Sequence, residues 1–121
     1  MIPTIAPLLF EHFACIDAEA EIALILFIDS RQRILGTWTA KGSRDTVELP
    51  TAAILETSRS LGAHQLLMFH THPSGDPRPS GHDMTLTRRL CAGLRRQRQR
   101  LLDHVILTSN EAFSFRKNGL L

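Results

Sequence analysis

Cysteine is scarce in this chain of 121 residues: Cys15 and Cys91 are its two, and no CxxC pair exists. That excludes a thiolate zinc site and thioredoxin-like redox chemistry. Free thiols in a reducing cytosol are the plain expectation, so the protein is placed in the cytoplasm. No Lys or Arg precedes the first apolar stretch, and Pro3, Pro7, Glu11 and His12 interrupt it. A secretory signal is therefore not expected. The longest apolar run, Ile22 to Ile28, has seven residues, far short of a membrane span. There is no HExxH, which removes the zincin reading. A nucleobase deaminase needs H-x-E and a later C-x-x-C, and neither is present. No phosphate-binding glycine loop, internal repeat, low-complexity segment or long linker occurs. The net charge of +2 is too small to argue for nucleic acid on its own.

What remains is an average globular composition, with 43% apolar and 21% charged residues. The length fits a single domain over residues 1–121. A short helix is expected over residues 4–19. Ile22 to Ile28 reads as a strand buried on both faces, because it is short, continuously apolar and followed by Asp29-Ser30. A second strand is expected over about Arg33 to Ala40, with Gly42-Ser43 as the break. Pro50 to Leu61 reads as a helix, with Pro50 in its first turn, Gly62 just past its end, and Ile54 and Leu61 sharing a face. Leu66 to Phe69 is a short apolar strand. The PSGDPRPSG segment that follows His72 has three prolines and two glycines, so it is a loop. A helix from about His82 to Gln99 carries Leu86, Leu90 and Leu94 at four-residue steps. Val105 to Leu107 and Phe113 to Phe115 close the list as strands. Buried strands between helices predict an α/β fold with a sheet covered on both faces.

Chemistry concentrates at the end of the Leu66 to Phe69 strand. His70 and His72 are two apart, so the strand period puts both imidazoles on one face. Asp83 follows eleven residues after His72, beyond a proline-stiffened turn. Two histidines and one carboxylate supply three ligands for Zn²⁺ and leave a fourth position for water, the pattern of a catalytic zinc site. Such a water has a pKa near ~7 and profits from a nearby base. Glu21, just before the first buried strand, suits that role as general base and then acid if the two strands are neighbours. Ser80 suits an oxyanion donor. Bland readings stand beside these. Ser80 and Asp83 have capping-box spacing. Asp76 suits a turn, His82 an exposed position, and His104 either the surroundings of the metal or a strand end.

Glu21, then His70-x-His72, then ten residues and Asp83 resembles the motif of the JAMM (JAB1/MPN) metalloproteases, with Ser80 matching the serine of that motif. The stretch HTHPSGDPRPSGHD, residues 70–83, resembles the bacterial RadC-like branch. The likeness extends to EIALILFIDSRQRILG and DHVILTSNEAFSFRKNGLL, and so covers about residues 15–121. It implies a cytidine-deaminase-like three-layer α-β-α sandwich with a mixed sheet and one zinc. His70, His72 and Asp83 are then the ligands, Glu21 the base and Ser80 the oxyanion helper. Eukaryotic and archaeal relatives cleave isopeptide bonds to ubiquitin-like tails, and the RadC-like branch was named for DNA repair. Thr71 stands where Asn is usual, on the face away from the ligands. The helix-hairpin-helix-like region of full-length RadC proteins has no counterpart in these residues, which weakens any inherited DNA binding. Glu19 shares the parity of Glu21 and stays open as the base.

Six arginines fall within residues 88–100, where no acid occurs: Arg88, Arg89, Arg95, Arg96, Arg98 and Arg100. A solvated outer helix face is one reading. A patch for DNA, RNA or an acidic protein, centred on Arg88, Arg89, Arg95 and Arg96, is the other. Two functions are therefore expected to compete. One is a zinc-dependent hydrolase acting on a peptide or isopeptide. The other is a DNA-associated accessory protein of repair or mobile elements, with the zinc site secondary.

Overall fold

A computed structural model describes residues 19–121. The helix expected over residues 4–19 lies outside the described residues, save for Glu19 at its end. Strand β1 spans Ile22–Ile28 and β2 Ile34–Lys41. Helix α1 spans Thr51–Leu61, β3 Gln65–Thr71, and α2 Gly81–Arg96. Strand β4 spans Arg100–Leu107 and β5 Ala112–Ser114. Among the described residues no helix is long and apolar enough to cross a membrane.

The strands form one mixed sheet in the order β2-β1-β3-β4-β5. Pairing is antiparallel except between β3 and β4, which are parallel and joined through α2. A parallel pair needs such a crossover, and a helix supplies it. β1 and β3 occupy the centre, and their near-continuous apolar sequence follows from burial on both faces. β2 is an edge strand, and its alternately half-buried and exposed residues show it. Both described helices pack on one face, where Ile54 of α1 and Leu86, Leu90 and Leu94 of α2 meet Ala23, Ile25, Phe27, Leu66 and Met68. The opposite face carries a second apolar cluster of Leu24, Leu26, Ile28, Leu67 and Phe69. This is the α/β architecture expected. Among the described residues the helices cover one face of the sheet.

Several boundaries differ from expectation for local reasons. Pro50 is the residue before the first helical turn rather than within it. Leu61 does not share the core with Ile54; it is 39% exposed at the helix end. α2 ends at Arg96, three residues early, and Arg98 adopts a positive φ of 59° that turns the chain into β4. Gly62, at φ 69°, closes α1 as foreseen, with its N–H on the carbonyl of Arg59.

Beyond β1 and β2 the pairing continues into the loops. The N–H of Gly42 donates to the Glu21 carbonyl at 2.8 Å, and the N–H of Glu21 donates to the Ser43 carbonyl at 2.8 Å. A methyl group on Gly42 would overlap the Thr46 carbonyl oxygen and the Val47 Cα. Gly42→Ala is expected to destabilise the protein by about 1–3 kcal/mol through overpacking against backbone. Urea denaturation checks this, and a midpoint equal to wild type would refute it.

Candidate metal centre

Antiparallel pairing of β1 with β3 sets Ala23 opposite His70. Glu21 lies two residues before Ala23 and His72 two after His70, so all four project to the helix-covered face. α2 begins on the same side and contributes Asp83 from its first turn. One ligating atom from each of Glu21, His70, His72 and Asp83 lies within 4.8 Å of every other. His70 Nε2 and His72 Nε2 are 2.9 Å apart. Asp83 reaches both: Oδ1 is 3.3 Å from His70 Nε2 and Oδ2 is 3.0 Å from His72 Nε2. Glu21 Oε1 is 3.4 Å from His70 Nε2 and 3.6 Å from His72 Nε2.

Two observations test whether this cluster fits a cation. Glu21 Oε1 is buried and has no hydrogen-bond partner. An unsatisfied buried carboxylate oxygen costs about 1–3 kcal/mol or more, so it marks a missing partner. His72 Nδ1 lies 2.8 Å from the Asp76 carbonyl oxygen. A carbonyl only accepts, so Nδ1 carries a proton, and in the neutral ring Nε2 turns its lone pair toward the cluster. Two nitrogen and two carboxylate donors converging on one point suit a borderline cation such as Zn²⁺.

The titration of the cluster follows from burial and charge. Burial pushes the Glu21 carboxyl up to about 7; His72 pulls it down and Asp83 and Asp45 push it further up. Burial acts to raise Asp83, whereas the imidazoles of His70 and His72 beside it and the Ser80 N–H act the other way and hold the carboxyl below its ordinary range. A carboxylate pair with such different environments divides into one permanent anion and one group able to exchange protons near neutrality.

The structure brings together Glu21, His70, His72 and Asp83, and it separates the two glutamates left open by sequence. Glu19 is exposed, with Arg44 3.7 Å away. Ser80 keeps its capping geometry: its Oγ accepts from the Asp83 N–H at 3.0 Å, and Asp83 Oδ2 accepts from the Ser80 N–H at 2.8 Å. Ser80 also lines a cleft of about 310 Å³ with Glu21 and His72, and its hydroxyl proton stays available there. Asp76 is the turn residue expected, paired with Arg78 at 2.7 Å. His82 is half-buried rather than exposed, 3.4 Å from the Val47 carbonyl. Thr71 does face away, and its Oγ1 accepts from the Ile22 N–H.

Sequence reasoning left His104 undecided and missed Thr87. His104 is fully buried beside His70, with its Nε2 2.6 Å from His70 Nδ1. Thr87 stands four residues after Asp83 on α2, and that spacing was the available signal.

The arginines of α2 divide. Arg88 and Arg95 line a cavity of about 540 Å³ together with Arg100 and Arg116, over a floor that includes Leu101 and Phe115. Among the described residues no carboxylate side chain lines it. Arg89 and Arg96 are exposed elsewhere on the helix.

A mixed sheet with helices against it, holding a buried two-histidine, two-carboxylate group that fits a metal ion, defines a JAB-type α/β domain. The chain belongs to the family described as RadC-like JAB domain, whose model matches residues 4–120. It is 36% identical over 107 residues to a UPF0758 protein of Aquifex aeolicus, covering 87% of this chain and 46% of that one. A UPF0758 protein of Burkholderia thailandensis is 37% identical over 100 residues, covering 82% of this chain and 38% of its own length. One of Acidithiobacillus ferrooxidans is 35% identical over 100 residues, covering 82% and 45%. The chain thus spans less than half the length of these relatives.

Burial holds His70 and His104 below the ordinary imidazole range, and the pull of Asp83 in the other direction does not outweigh it. Both stay neutral in the fold, whereas the unfolded chain takes up protons below about pH 6.5. Glu21 and His72 are held above their ordinary ranges, so they take up protons first in the fold and offset one imidazole. Stability of chelator-treated protein should therefore fall between about pH 6 and 5 by up to roughly 1.4 kcal/mol per pH unit in total. Thermal melts across that interval measure this; a flat or rising Tm on acidification would contradict it.

Proposed function

We propose that this chain is a zinc-dependent hydrolase of the JAMM type that cleaves a peptide or isopeptide bond. The observation that carries the reading is the buried convergence of His70, His72 and Asp83 beside the unpartnered Oε1 of Glu21. His70, His72 and Asp83 would hold the ion. A zinc ion there supplies Lewis acidity and lowers the pKa of a water to near ~7. Glu21 takes the proton of the attacking water and returns it to the leaving amine, a role that its raised pKa suits. Ser80, at the cleft wall, donates its free hydroxyl proton to the developing oxyanion. His72 is the less buried of the two imidazoles, its side chain 12% exposed against none for His70, so substrate approaches from the His72 and Ser80 side.

Purified protein is expected to take up one zinc per chain. Glu21→Gln should keep the metal yet lower kcat on quenched peptide substrates by about 10²–10⁴-fold. Asp83→Ala should lose the metal. Metal analysis by plasma mass spectrometry decides the first point; protein that neither carries nor takes up zinc ends the reading, and full activity in Glu21→Gln ends the role of Glu21.

A second reading is favoured by the arginine-lined cavity. Residues 88–100 hold six of the fourteen basic residues and no acid, leaving eight basic against twelve acidic residues elsewhere. The charge is therefore segregated onto one end of α2, and a DNA-associated accessory role is the function this supports. Binding of a labelled DNA duplex should weaken steeply with salt. Arg88→Glu with Arg95→Glu should weaken it more than Arg89→Glu with Arg96→Glu. Fluorescence anisotropy reads both, and salt-insensitive binding or none removes this reading.

A further inference from the structure

Behind the metal centre lies a line of three buried hydrogen bonds. His70 Nδ1 meets His104 Nε2 at 2.6 Å, and His104 Nδ1 meets Thr87 Oγ1 at 2.7 Å. Thr87 Oγ1 donates to the Asp83 carbonyl oxygen at 2.8 Å. All three side chains are buried, and the His104 ring stacks on Phe115 with centroids 4.4 Å apart and planes 5° from parallel. The stack restrains the plane of the ring, and the two bonds at its nitrogens fix which edge faces His70.

The direction of every proton in this line follows from its last member. A carbonyl oxygen can only accept, so the single hydroxyl proton of Thr87 is committed to Asp83. Thr87 Oγ1 can then only accept from His104, which places a proton on His104 Nδ1. His104 is fully buried and neither of its ring nitrogens meets a carboxylate, so the ring holds one proton, and its Nε2 is bare and accepts. His70 Nδ1 must therefore be the donor. What remains on His70 is a lone pair at Nε2, facing Glu21, His72 and Asp83.

We propose that His104, oriented by Thr87, is a positioning residue that fixes His70 in the tautomer whose Nε2 lone pair is presented to the metal. Its use in metal binding rests on the hydrolase reading above; the placement of the proton does not. The alternative tautomer has a clear cost. It would point an N–H from His70 Nε2 at His72 Nε2, 2.9 Å away, or at Asp83 Oδ1, 3.3 Å away. Either bond would satisfy the cluster internally and compete with a cation. The line also closes on itself, because Asp83 anchors it through its backbone carbonyl while its carboxylate stands in the cluster. A neutral imidazole takes the place of the carboxylate or carbonyl that commonly orients a metal-binding histidine.

Long-range ¹H–¹⁵N NMR on zinc-free protein reports the His70 tautomer directly, and chelator competition reports zinc affinity. In wild type the proton is expected on His70 Nδ1. His104→Phe keeps the stacking shape but removes the acceptor; it should abolish the preference and weaken zinc by about 10–100-fold. His104→Gln offers an amide oxygen to His70 and an N–H to Thr87, and should recover most of that loss. Thr87→Val alters no atom in contact with His70 or with a ligating atom of the cluster, yet should produce a mixture of His70 tautomers, while Thr87→Ser should not. A proton on Nε2 of wild-type His70 overturns the inference, as does an unchanged tautomer in both His104→Phe and Thr87→Val. If His104→Phe fails to fold, Thr87→Val decides. Wild-type protein with the expected tautomer but no zinc uptake would leave the proton placement standing and defeat the hydrolase reading instead.

Discussion

The register between β1 and β3 is the constraint on which the site depends. With Ala23 opposite His70, the chain before β1 and the chain after β3 emerge at the same end of the sheet and on the same face. Glu21 then faces His70 and His72 across the cluster and is held by Gly42 and Ser43 along the backbone. A slip of one residue would send Glu21 to the opposite face, because side chains alternate along a strand. The fully apolar sequence of β1 makes such a slip expensive only through its ends and through packing. The loop pairing at Gly42 and the Thr71 hydroxyl on the Ile22 N–H are therefore the features that pin it.

Asp83 occupies a junction of three roles. It completes the cap of α2 with Ser80, stands between two imidazoles, and anchors Thr87 through its carbonyl. Such sharing couples the helix end to the cluster rigidly. At 2% exposure the Ser80 N–H offsets part of the loss of water for the Asp83 carboxylate, and the bare imidazole nitrogens beside it leave the remainder to a positive charge. Glu21 has no comparable support. Burying two carboxylates so close together costs several kcal/mol unless a positive charge lies between them. The cluster is one that could hold a metal ion, and the apolar clusters on both faces of the sheet supply the stability that allows such an arrangement.

Much of this was readable in the residues. The apolar run of β1, the leucine spacing of α2 and the proline-rich loop identified their elements, because each is a local pattern of burial or backbone restriction. The pairing of His70 with His72 on one face needed only strand parity. The errors share a different character. Pro50, Leu61 and the end of α2 were misplaced by a residue or a few, where tertiary packing chooses between adjacent positions. Capping and metal binding looked like rival readings of Ser80 and Asp83, yet the geometry lets both coexist.

By itself the sequence determined the element types, the shared face of the two histidines and a carboxylate within reach of them, since parity, capping and loop stiffness act over a few residues. Only the tertiary structure decided that Glu21 rather than Glu19 enters the cluster and that His104 lies behind His70 instead of at an open strand end. It alone set the pair Arg88 and Arg95, and not Arg89 and Arg96, against a cavity. Each of these depends on strand register or on which helix face meets the sheet, and such contacts join segments far apart in the chain that no local pattern encodes.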